Sequence, residues 1–116
     1  MFNPVQEFNY YRSCMNEQLL SEASTTLKRI FNPYKSTFQR GGLDLAIKEL
    51  LGLVASTVFR CYNCIKYHFE RCHEEKLAKK AEMKALEIAT VIESSIVIPH
   101  LKKAHEYWQQ IELNTK

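Results

Sequence analysis

Apolar residues recur at three- and four-residue intervals along most of the chain, and the alternation that builds strands is nearly absent, a pattern that predicts helices. The N-terminal third reads as one or two amphipathic helices carrying Leu19, Leu20, Leu27, Ile30 and Phe31. Asn32-Pro33 is expected to end this region, because the residue before a proline avoids the helical well, and Gly41-Gly42 marks a boundary. A second helix runs from about Asp44, with Leu45, Ile47, Leu50, Leu51, Val54 and Val58 at helical spacing, and a third runs from Cys61 to Glu75. The stretch from Ala81 to Ile92 places Met83, Leu86, Ile88, Ala89 and Ile92 on one side and reads as a fourth. Ser94-Ser95 is expected to cap a fifth helix carrying Ile96 to Ile111, with Pro99 in its first turns or kinking it. The expected fold is all-α, a compact helical bundle of roughly five to six helices. A single domain over 1–116 is expected, with a helical extension at 1–40 and a core at 43–112.

Composition narrows the function classes. The chain has 116 residues, 46% hydrophobic and 25% charged, which suits one folded domain and not a disordered segment. The formal charge of +3 is spread out, and the basic pairs Lys79-Lys80 and Lys102-Lys103 have acidic neighbours, so nucleic acid is not an expected partner. No apolar run approaches the roughly 18 residues of a membrane span. The start, Met1-Phe2-Asn3-Pro4, has neither a basic nor an apolar signal region. A cytoplasmic protein without membrane contact is therefore expected. In a reducing cytosol four cysteines favour metal binding or redox catalysis over a structural disulfide framework.

The chemistry concentrates in Cys61-Tyr62-Asn63-Cys64-Ile65-Lys66-Tyr67-His68. Two thiols three positions apart at a helix start can cycle between dithiol and disulfide, and the helix N-terminus favours a thiolate there. His68 falls one turn after Cys64 on the same face, placed to accept the thiol proton. The helix dipole favours Cys61 as the nucleophile and the histidine favours Cys64. Because only His68 can take a proton, Cys64 is assigned as nucleophile and Cys61 as the resolving thiol. Glu49 sits among Ile47, Leu50, Leu51 and Val54, where a buried carboxylate would need a reason.

Together Glu49, Cys61, Cys64 and His68 spell E-x11-C-x-x-C-x3-H. This pattern resembles the alkylhydroperoxidase AhpD-like proteins of the carboxymuconolactone decarboxylase family. Lys48-Glu49-Leu50-Leu51-Gly52-Leu53-Val54-Ala55 is similar to the family's glutamate helix, and Leu86 to Leu101 to its last helical pair, so the likeness covers roughly residues 43–108. The resemblance implies an AhpD-like fold and a thiol-dependent antioxidant activity without cofactor or metal. It implies that Cys64 attacks a peroxide or disulfide, Cys61 resolves it, His68 takes the Cys64 proton and Glu49 serves a proton relay toward Cys61. It also implies a thiol reductant, protein or small molecule, and a homo-oligomer, trimer or hexamer. Two positions depart from the family pattern: Asn63 stands where peroxidase members carry a histidine, and Glu93-Ser94 stands where a glycine pair is usual.

Two other readings fit the same residues. Cys61, Cys64, His68 and Cys72 share one helix stripe, which would suit zinc, although tetrahedral sites usually draw on two segments. Alternatively, the chain is a non-catalytic oligomeric module with a vestigial CxxC. Cys72 reads as a packed thiol, and Cys14 has no interpretable partner. His73, His100 and His105 read as surface or interface residues, and Tyr107-Trp108 as core or interface. The apolar residues Ile88, Val91, Ile92, Ile96, Val97 and Ile98 exceed what one small core absorbs, which again points to assembly.

Overall fold

A computed structural model describes residues 3–115 as helices joined by short turns. Six are present among the described residues: α1 (Pro4–Glu22), α2 (Thr25–Thr37), α3 (Leu45–Val58), α4 (Tyr62–Glu74), α5 (Lys79–Ser95) and α6 (Val97–Asn114). The fold class is all-α, as the periodicity predicts. The chain divides into one unit ending at Gln39 and another starting at Arg40.

In the first unit, Asn3 opens α1 with a capping box: its Oδ1 accepts from the Gln6 backbone N–H at 2.9 Å, and the Gln6 side chain returns a bond to the Asn3 backbone. Pro4 occupies the first helical position, where its missing N–H costs nothing. Ser24 starts α2 by accepting from Leu27 N–H. The expected break at Asn32-Pro33 does not occur, because α2 runs on to Thr37 with Pro33 inside it. Proline deletes one intrahelical bond, the one to the carbonyl of Arg29. That residue is exposed, so water can take the orphaned acceptor.

Near the start of the second unit, Gly41 and Gly42 have φ values of 137° and 75° that only glycine adopts readily. Packing is concentrated among α3, α4 and α5. Leu53 from α3, Cys72 from α4 and Ala85 from α5 form the buried cluster, with Leu50, Val54, Ile65, Phe69, Leu77 and Leu86 partly buried around it. The α3–α4 and α4–α5 turns each place a non-glycine residue in the left-handed region, Arg60 at φ 59° and Lys76 at φ 57°. Such residues let a helix end abruptly.

Ser94 and Ser95 do not cap α6. Their hydroxyls turn back to Thr90 O at 2.9 Å and Ile92 O at 2.7 Å, so α5 continues through both and only Ile96 separates it from α6. Pro99 lies in the first turn of α6, where a missing N–H is tolerated. None of the described residues of α6 is buried; Val97, Leu101, Tyr107, Trp108 and Leu113 are all exposed. No helix among the described residues is long and apolar enough to cross a membrane.

Candidate active site

The start of α4 is built by a cysteine. Cys61 is the N-cap, its Sγ accepting from Cys64 N–H at 3.3 Å while its own backbone N–H donates to Ser56 O at 2.9 Å. Capping by sulfur places Cys64 at the third helical position, within the turn whose free N–H groups favour negative charge. Cys61 and Cys64 are joined by a disulfide with Cα atoms 5.2 Å apart. Both are half-buried, and Tyr62 and Asn63 between them are exposed.

One turn further along α4 lies His68, 2% exposed, and opposite it on α3 lies Glu49, 5% exposed. Glu49 Oε2 and His68 Nδ1 are 2.7 Å apart. A carboxylate accepts, so Nδ1 carries the hydrogen and Nε2 is left as the basic nitrogen. A buried charge without a partner would cost several kcal/mol by roughly the desolvation penalty of an ion, and this bond gives the carboxylate its reason. The resemblance directs Glu49 toward Cys61; in the structure its bonded partner is His68.

Gly52, one turn from Glu49 toward the C-terminus of α3, was not singled out in the sequence. A Cβ there would fall 2.6 Å from His68 Nδ1 and 2.8 Å from Nε2, and closer still to Cε1. The bare backbone is what admits the imidazole. The available signal was a glycine inside an otherwise strong helical pattern.

Cys72 is fully buried and free. Burial, and then the charges of Glu82 and Glu49, push its thiol up to about 11, so it is a neutral packing group near neutral pH. Among the described residues no three or more His, Cys, Asp or Glu converge as a metal would require. The zinc stripe is spent otherwise: two sulfurs on each other, Nδ1 on Glu49, and Cys72 in the core.

His73 is on the surface, as expected, but it is not isolated. Its Nδ1 donates to Phe69 O at 3.1 Å and lies 3.0 Å from Glu82 Oε1. Glu82 is a second buried carboxylate, 4% exposed, which sequence reading missed because the residue stands in a lysine-rich first turn of α5. Beside the disulfide, Arg60 is ion-paired with Glu93. The two flank a cleft of about 430 Å³ lined also by Thr57, Thr90, Ser94 and Val97. Glu93-Ser94 thus lies in continuous helix and not in a turn.

The sequence model of the carboxymuconolactone decarboxylase family matches residues 25–106. Two crystal structures of a Thermotoga maritima protein are similar. One shares 44% identity over 88% of this chain and 95% of that one, with a TM-score of 0.66. The other shares 42% over 94% and 95%, with a TM-score of 0.72, and is described as a carboxymuconolactone decarboxylase family protein with a suggested part in an antioxidative response. No curated protein matches the chain.

Proposed function

The chain belongs to the carboxymuconolactone decarboxylase family, and we propose that it is a thiol-dependent antioxidant oxidoreductase of the AhpD type, reducing peroxides or exchanging disulfides. The observation that carries this reading is the buried Glu49–His68 pair one turn from Cys64. An oriented base beside a nucleophile at a helix start is the equipment for thiol attack. The Thermotoga relative's antioxidative description supports the same direction.

In the dithiol form, His68 Nε2 takes the Cys64 proton. The thiolate attacks one peroxide oxygen, the O–O bond breaks, and the departing alkoxide takes a proton to leave as alcohol. The Cys61 thiol then attacks the Cys64 sulfenic acid, its proton leaves with the hydroxyl as water, and the disulfide closes; two electrons have passed from the dithiol to the peroxide. Two equivalents of an external thiol, from a small molecule or a reductant protein, restore the dithiol and become a disulfide themselves. Disulfide substrates follow the same course with a thiolate as the leaving group. Asn63 cannot titrate, so the relay on that side depends on water. The apolar residues left exposed on α5 and α6 favour a homo-oligomer, and the family resemblance makes it a trimer or hexamer; a cytoplasmic location belongs to the same proposal.

The test is trapping. Cys61→Ser should leave a sulfenate or mixed disulfide on Cys64 after exposure to hydroperoxide or an aromatic disulfide, and Cys64→Ser should abolish turnover. An adduct on Cys61 in the Cys64→Ser variant, with turnover retained, would overturn the assignment. A Cys64 thiol that ionises no lower than the ~8.5 of free cysteine would favour a vestigial pair.

A further inference from the structure

The cleft beside the disulfide has no part in the chemistry above. Its volume of about 430 Å³ suits a small organic molecule, and Ala89, Ile96 and Val97 give it an apolar lining. The three hydroxyls that line it are already committed. Thr57 Oγ1 donates to Leu53 O at 2.8 Å, Thr90 Oγ1 to Leu86 O at 2.8 Å and Ser94 Oγ to Thr90 O at 2.9 Å. With those hydrogens turned back into the helices, recognition of a polar group falls to Arg60 and Glu93.

Arg60 is the one cation among the described residues of the lining. Its side chain is 74% exposed, and Glu93 engages it through a single pairing, Nη2 with Oε1. The other N–H groups of the guanidinium have no partner among the described residues. A guanidinium is a planar fork that takes a carboxylate on two parallel bonds, so one edge of Arg60 stays open to a second carboxylate. The fold does not account for this arginine. An exposed ion pair adds little stability, and glycine would close the α3–α4 turn at φ 59° with less strain. Cys61 comes next, its Cα about 3.8 Å along the chain, with its backbone N–H bonded to Ser56 O beside Thr57. A molecule held in the cleft therefore lies at the edge of the redox pair.

We propose that the cleft is a subsite for a small disulfide carrying a carboxylate on an apolar body, and that Arg60 binds the carboxylate in competition with Glu93. This names a substrate class for the thiol exchange proposed above and rests on that reading for its chemistry. The Cys64 thiolate attacks one sulfur of the bound disulfide, a bond from Cys64 to that sulfur forms, and the other half leaves as a thiolate. The Cys61 thiol then gives its proton to water and attacks Cys64. The first half leaves as a second thiolate, and the Cys61–Cys64 bond closes. Two electrons have passed from the dithiol to the substrate. The carboxylate is unchanged throughout; its bond to Arg60 fixes where the substrate's sulfurs lie.

Single-turnover mixing of the pre-reduced full chain, with Cys14→Ser as a common background, tests the subsite. It compares dithiobis(nitrobenzoate), which has a carboxylate on each ring, with uncharged dithiodipyridine. Arg60→Gln should lower the preference for the carboxylate disulfide by roughly tenfold or more, the worth of a hydrogen bond to a charged group. Arg60→Lys keeps the charge without the fork and should retain only part of the preference. Glu93→Gln should raise it roughly two- to fivefold, because an exposed competitor is gone. Arg60→Gly, which suits the left-handed backbone, should be no less stable to urea and still lose the preference, so misfolding does not explain the loss. The same preference in wild type and Arg60→Gln, or a loss in both Arg60→Gln and Glu93→Gln, would overturn the proposal. Nitrobenzoate titrated against the oxidised full chain, with Arg60 Nε followed by nitrogen-15 NMR, reads the subsite without thiol chemistry. A shift there in a protein that exchanges neither disulfide removes the enzyme and leaves the subsite; exchange of both without shift or preference does the opposite.

Discussion

The backbone of Gly52 lies against the imidazole edge of His68, close enough that a single added carbon would fall 2.6 Å from Nδ1. Glycine inside a helix costs about 1 kcal/mol relative to alanine, so a surface glycine here would gain from replacement. Gly52→Ala should do the reverse and destabilise by about 1–3 kcal/mol, the usual cost of overpacking. It should also displace His68 from Glu49 and depress thiolate formation at Cys64. Urea unfolding together with thiolate absorbance at controlled pH would check both effects.

His68→Ala should slow thiol turnover most at neutral pH and least in alkali, where the Cys64 thiol ionises unaided. The loss near pH 7 should reach about a hundredfold, a typical contribution of a positioned general base. A uniform loss at every pH would indicate a structural defect and not a missing base.

Cys72 gives a second pH signature. Its thiol is held neutral in the fold, up to about 11, by burial and by Glu82 and Glu49, whereas an unfolded thiol ionises near 8.5. The preference for the neutral form is therefore fully present below the unfolded value and is lost as pH rises toward the folded one. Between about pH 9 and 11 the wild type should lose on the order of 2 kcal/mol relative to its own value at neutral pH through this group. Cys72→Ala, though less stable at neutral pH, should show a correspondingly flatter profile in the same window. At pH 8 Cys72 should resist alkylation until the protein unfolds.

Light scattering at micromolar concentration should give a mass several times the 13.6 kDa of one chain. A helix with no buried residue, carrying Leu101, Trp108 and Leu113 in the open, is marginal alone and needs a covering surface. A monomeric mass would show that α6 persists without one.

Local signals in the sequence are legible where a single residue decides the backbone. Gly41-Gly42, Asp44 and Cys61 mark the ends of elements in both sequence and structure. Helical spacing alone places His68 one turn from Cys64. The bond between Glu49 and His68 joins residues 19 apart, and only the resemblance paired them as parts of one site. Failures came where exposure weakened a rule: Pro33 breaks nothing in a helix with no buried residue, and Ser94 and Ser95 satisfy carbonyls in their own helix. The His73–Glu82 contact was illegible because it spans a turn whose course depends on Lys76 adopting a left-handed φ.

The Glu49–His68 bond also bears on how such a chain can change over generations. Removing either partner alone strands the other inside the protein, a loss of about 3–5 kcal/mol, whereas exchanging both for leucine or methionine of similar volume can be neutral or favourable. The two positions are therefore coupled, and their joint effect departs from the sum of the single changes. A lineage that no longer needs the chemistry cannot drift out of it one substitution at a time without passing through a poorly folded intermediate. The bond acts as an epistatic barrier, so these two residues can outlast the selection that installed them.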